Sequence, residues 1–202
     1  MRLYRTLVFL QCCGAAAFLA GPAVCGNFVA EQTASGTLIK GKAPHYKLAV
    51  DGSKVRQEIQ AADGSMRIRI ARPDRGVMLL VDPAHKEYME MKVPAAAFGE
   101  PGNDKEIRKV ANRKIVGSEV VSGQTCEKRL YIAKEKPQGS MMQWWSQKLG
   151  WPIKTEIKAK EGNMVTLLKN IKTGAATPAM FDVPKGYKKV VPKKPAAKPK
   201  PR

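Results

Sequence analysis

The chain has 202 residues, 44% of them hydrophobic and 6% aromatic, with 36 Lys and Arg against 17 Asp and Glu for a formal charge of +19. That hydrophobic share excludes a disordered polyelectrolyte, and the four cysteines, two of them adjacent in an N-terminal apolar run, exclude a disulfide-built scaffold. The positive excess comes without an aromatic-and-basic nucleic-acid module, so it reads as attraction to anionic surfaces or as solubility, and not as specific nucleic-acid recognition.

The N-terminus dictates the compartment. Arg2 and Arg5 precede an apolar stretch at residues 7–20, and Gly21-Pro22-Ala23-Val24-Cys25-Gly26 supplies small residues and a breaker. Residues 1–25 therefore read as a secretory signal peptide. The apolar stretch is shorter than the ~20 residues a spanning helix needs. No later segment is apolar enough, so no transmembrane span is expected after signal removal. The expectation is an exported protein, periplasmic in a Gram-negative cell envelope. Cleavage after Ala23, cleavage after Cys25 and lipidation of Cys25 all stay open. Cys12 and Cys13 leave with the signal. Cys126 is expected as a small buried hydrophobe in a strand, and a bridge to Cys25 stays open if that residue is retained.

Residues 26–190 read as one β domain. Tyr46-Lys47-Leu48-Ala49-Val50 runs into Asp51-Gly52, a hairpin signal. A strand at 54–60 follows, then a turn at Asp63-Gly64. Residues 66–70 alternate strictly, with Met66, Ile68 and Ile70 on one side. Residues 77–81 are apolar on both faces, which suggests a central strand covered twice or a strand lining a cavity. Asp82-Pro83 ends it, and 87–92 returns with Met89 and Met91 on one face. Residues 93–112 read as a loop or short lid, with a short helix starting at Pro94 and stopped by Gly99-Glu100-Pro101-Gly102.

Strands resume at 114–121, 125–133, 139–146, 153–160 and 164–171. Thr177-Pro178 looks like the cap and first residue of one helical turn ending near Phe181. Short turns between successive strands imply a mainly β fold, an antiparallel sheet and not a βαβ unit. Residues 191–202 form a Lys/Pro/Ala-rich basic tail. Proline removes backbone donors and like charges repel, so the tail is expected to stay extended. It is either a tether to an anionic envelope surface or a dispensable end.

The run Val116-Gly117-Ser118-Glu119-Val120-Val121-Ser122-Gly123-Gln124-Thr125-Cys126-Glu127-Lys128 resembles the G-x-E-x-V-x-G-x-x-C-x-K pattern of a family of exported bacterial proteins of unknown function. Trp144-Trp145-Ser146-Gln147-Lys148-Leu149-Gly150-Trp151-Pro152-Ile153-Lys154 is similar to that family's W-x-x-K-x-L-G-x-P-x-K element. Leu168 to Gly174 and Met180 to Tyr187 resemble its closing signature, and Val81 to Glu90 an earlier one. The family is similar in pattern to the LolA-like lipoprotein carriers. That resemblance implies a strongly curved, incomplete antiparallel half-barrel with short helical segments, sheltering lipid chains in its concave face.

No catalytic constellation is visible. His45 at a strand start and His85 in a turn lack metal-ligand spacing, and no phosphate loop, nucleophile elbow or zinc helix occurs. Neither cofactor nor metal is expected, and the chain does not read as an enzyme. The candidate binding residues are apolar. Period-2 geometry puts Met142 and Trp144 on one face of their strand and Met141 and Trp145 on the other. Met78, Leu80, Met89, Met91 and Trp151 join Met142 and Trp144 as the candidate ligand-binding set, since Met repacks easily and Trp adds area. An ordinary two-sided core is the competing reading. The functional expectation is a non-catalytic carrier or binding protein, with a lipid or lipid-modified protein as partner. The alternative is an envelope interaction or sensor module without lipid.

Overall fold

A computed structural model describes residues 26–41, 43–60, 64–94, 104–134 and 139–191. The signal segment, most of the short helix expected from Pro94, and the basic tail beyond Val191 lie outside these residues.

The strands are β1 (Asn27–Ser35), β2 (His45–Asp51), β3 (Lys54–Gln60), β4 (Met66–Arg72), β5 (Val77–Asp82) and β6 (Glu87–Lys92). After helix α1 (Asp104–Val110) come β7 (Ala111–Val121), β8 (Gln124–Ala133), β9 (Ser140–Ser146), β10 (Trp151–Ala159), β11 (Gly162–Thr173) and β12 (Lys188–Lys189). All belong to one open sheet in the order β12-β6-β5-β4-β3-β2-β1-β11-β10-β9-β8-β7. Every neighbouring pair is antiparallel except β12 on β6, which is parallel.

Several expectations are corrected. β1 was not read from the sequence, yet it joins the two halves of the sheet, β2 on one side and β11 on the other. The helix at Asp104–Val110 falls where a loop or lid was expected. β5 is not central: among the described residues only β6 and the two-residue β12 lie beyond it. The turn at Pro178–Phe181 is a 3-10 turn, and Thr177 precedes it without a side-chain capping bond. Pro178, at its first position, suits that turn through its fixed φ.

Residues directly opposite each other on paired strands share a face. One row across the sheet is Phe28, Val50, Val55, Ala71, Met78, Met91. The next is Ala30, Leu48, Gln57, Arg69, Leu80, Met89. Beyond β1 the same face carries Ala34, Thr166, Thr155, Gln143 and Arg129. We call this the first face.

The second face of β2, β4 and β5 carries Ala49, Ile68, Ile70, Leu79 and Val81. A C-terminal strap seals it, laying down Ala176, Met180, Phe181, Val183 and Tyr187. Arg56 donates to the Met180 carbonyl and Arg72 to the Phe181 carbonyl, both at 3.0 Å. At the far end, Ile107 of α1 packs with Ala111, Tyr131, Met141, Ile157 and Met164.

The β10–β11 turn is clamped to the loop after β1. Asn163 N donates to Thr37 Oγ1 at 2.9 Å, and Thr37 N donates to Asn163 Oδ1 at 3.1 Å. Gly162 sits at φ +145°, where an added Cβ would strike Thr37 Oγ1. Backbone geometry and close approach both demand glycine there.

Cys126 is completely buried and free, with its thiol turned to the Gln124 carbonyl at 3.3 Å. Burial pushes its pKa up to about 11. A thiol held protonated and out of water is a poor nucleophile. The folded protein is therefore expected to leave Cys126 unlabelled by an aromatic disulfide reagent at pH 8, with labelling following denaturant. Rapid labelling of the folded protein at that residue contradicts the buried placement.

Candidate functional site

The seven sequence-derived candidates fall into two groups. Met78 lies opposite Met91 and Leu80 opposite Met89, so these four form one apolar block on the first face. All four are half-buried. Their neighbours Leu79 and Val81 point the other way and are buried under the strap. None of the four belongs to the three buried clusters found among the described residues. The apolar run at 77–81 thus has one sealed side and one partly open side.

Trp144 and Met142 lie across from Lys128 and Leu130 of β8, on the side of β9 opposite Gln143. Trp144 is enclosed by the chain's own groups. Its Nε1 donates to Glu119 Oε2 at 2.9 Å. Lys154 Nζ stands 4.3 Å and Lys128 Nζ 5.4 Å from its ring. That hydrogen bond, and then the one from Lys128, hold the Glu119 carboxyl below the usual range. Trp151 meets the Phe28 ring edge-on at 5.8 Å, an attractive aromatic geometry. Trp144, Trp151, Phe28 and Cys126 all belong to one buried cluster, with Met142 at its margin. The β7–β8 turn folds back on β11 beside it, where Ser122 Oγ donates to the Leu168 carbonyl at 2.6 Å.

Buried polar side chains on the first face escaped the sequence reading. Gln57, Gln143, Arg129 and Thr155 are all buried there. Gln57 lies opposite Arg69, and Gln143 opposite Arg129. Arg129 donates to Glu127 Oε1 at 2.6 Å, with its guanidinium 4.6 Å from the Trp145 ring. The readable signal was in β3, where Gln57 holds the position between Val55 and Ile59 in an otherwise apolar series.

The histidines sit at the surface. His85 Nδ1 lies 3.0 Å from Asp82 Oδ2, and this contact is the leading cause that lowers the Asp82 pKa. His45 lies 3.5 Å from Glu31.

No protein-family model matches the chain, and no curated protein matches it. Solved structures do. A crystal structure of MucB matches with 12% identity and TM-score 0.55 over 81% of this chain and 60% of that one. The Pseudomonas aeruginosa MucA/MucB complex matches with 13% identity and TM-score 0.54, over 78% of this chain and 55% of that one. This chain thus spans little more than half the length of the MucB chains it matches. An uncharacterized conserved protein from Thermus thermophilus matches with 8% identity and TM-score 0.55, over 83% of this chain and 91% of that one. A LolA superfamily protein from Nitrosomonas europaea also matches, at 9% identity and TM-score 0.38, too low a score to carry the fold by itself. The open antiparallel sheet is the kind of fold that the sequence resemblance implies, and part of the MucB chain shares it.

Proposed function

We propose that this chain is a non-catalytic binding or carrier protein of the bacterial cell envelope that shelters acyl chains over Met78, Leu80, Met89 and Met91. The observation that carries this reading is the two-sidedness of β5 and β6. The second face of β5 is sealed by the strap, while the contiguous Met/Leu block that β5 and β6 share on the first face stays half-buried. Each methylene removed from water there contributes about 0.8 kcal/mol. The signal-like N-terminus supports export. The excess of lysine and arginine supports attraction to anionic headgroups or envelope polymers. Among the described residues no helix is long and apolar enough to cross a membrane.

The test is native mass spectrometry of the protein purified from its own envelope, beside a folded Leu80→Asp/Met89→Asp variant. A stoichiometric lipid in the parent, reduced at least tenfold in the variant, is the expected result. Equal lipid content in both, or a clean apo mass that takes up no lipid, overturns the carrier reading.

A second reading, an envelope protein-interaction or sensor module without lipid, has its own support. Among the described residues β7 pairs on one side only, and it exposes Ile115, Val116 and Val120. An open strand edge with apolar side chains is a template for a partner strand. MucB, which shares the fold, has been solved in complex with MucA.

A further inference from the structure

Two buried acceptors on the first face lack partners among the described residues. Gln57 is 6% exposed and Gln143 is 3% exposed, and the Oε1 atom of each receives no hydrogen bond from them. Buried polar side chains are nearly always satisfied, and each exception needs a cause. The two acceptors share a setting. Both glutamines lie on the same face, and each stands directly opposite an arginine, Arg69 or Arg129.

Gln57 is also in register with the apolar block. Its row runs Gln57, Arg69, Leu80, Met89 across adjacent strands. Strands stand about 4.8 Å apart, so Gln57 lies about 10 Å from Leu80 across the sheet. A chain lying over Leu80 and Met89 and continuing across β4 brings its polar end to Gln57.

We infer that the first face takes an amide-linked acyl chain, whose N–H donates to Gln57 Oε1 while the chain covers Leu80 and Met89. The inference rests on the acyl-chain reading of this face and narrows it by linkage chemistry. A free fatty acid at neutral pH has no donor to offer. A glycerol ester has none at its linkage either. An N-acyl group carries one at the junction of head and chain. A site with a buried acceptor discriminates strongly against analogues that lack the matching donor.

The experiment is calorimetric titration of the purified full protein with two probes below their critical micelle concentrations, N-lauroylglycine and N-lauroylsarcosine. They share the twelve-carbon chain and the carboxylate, but the second has a methyl in place of the amide hydrogen. The expected result is about tenfold tighter binding of N-lauroylglycine. Gln57→Leu is expected to bind both probes equally, near the parent's affinity for N-lauroylsarcosine. Because that substitution removes an unpartnered acceptor, it should leave the thermal midpoint unchanged or raise it. Should it fail to fold, Gln57→Met serves in its place, and the probe preference of the unaltered protein stands as an independent readout. Equal affinity of the unaltered protein for both probes overturns the amide inference and leaves the acyl-chain reading intact. Binding of neither probe overturns both.

Discussion

Phe28→Ala is expected to cost about 3–5 kcal/mol, the usual loss for a large aromatic in a closed core. Phe28 is completely buried in β1, opposite Val50, with its ring against the edge of Trp151. Truncation removes the transfer energy of the ring and leaves a hole among Leu48, Val50, Trp151 and Leu168, all of which pack in its cluster. The position magnifies the damage, because β1 is the seam joining β2 to β11. A domain of this size holds only about 5–15 kcal/mol in total. The substitution should therefore move the urea midpoint by about a fifth of its value or more. Phe28→Leu keeps most of the volume and should cost under half as much. A loss below about 1.5 kcal/mol for the alanine variant would show that the cluster refills and that the seam is not held by this ring.

Local chemistry made the meander legible and long-range pairing did not. The Asp51-Gly52 turn, the alternation at Met66–Ile70 and the opposite faces of Met141 and Met142 are short-range facts, and they are present in the fold. β1 escaped because Ala30, Gln32 and Ala34 give its inward series little hydrophobic weight. Its burial comes from Leu168 and Thr166, more than a hundred residues away. β12 is two lysines whose pairing is fixed by the strap that delivers them.

The candidate site was legible in part for the same reason. Facing pairs such as Leu80 and Met89 follow from one hairpin. Whether β9 shows the same face as β5 depends on every intervening register. That path crosses irregularities at Val29/Glu31 and at Pro152/Lys154. A single slip exchanges the two faces of a strand. Trp144 and Met142 therefore could not be placed relative to Met78 from sequence pattern alone. The Gln–Arg pairs needed registry across β3–β4 and β8–β9 before they became visible as pairs.

Arg72→Met should release the strap from the sheet, at a cost of about 2–4 kcal/mol at neutral pH. The Arg72 side chain is only 8% exposed. It donates to Asp74 at 2.9 and 2.8 Å, to Asp182 at 2.6 Å and to the Phe181 carbonyl at 3.0 Å. The end of β4 and the 3-10 turn over the second face therefore share one guanidinium. Asp74 and Asp182 keep enough water to stay charged when abandoned, which places the cost below that of stranding a fully buried ion.

The pairing also makes a signed pH prediction. Hydrogen bonding to Arg72, more than any other cause, holds the Asp74 carboxyl below its usual range. A folded pKa below the unfolded one stabilises fully above the unfolded value, about 3.9, and that contribution is lost as pH falls through the folded value. The stability gap between parent and variant should therefore be widest at pH 6–7 and narrow towards pH 2. Urea unfolding across that range reads the gap. Hydrogen exchange locates it, because Lys188 N and Val190 N donate to Lys86 and Tyr88 carbonyls at 2.8 Å only while the strap lies on β6. These two amides should exchange faster in the variant at pH 7, before any global unfolding. Unchanged protection of both would place the anchor of the strap in Phe181 and Val183, whose burial would then hold it without the arginine.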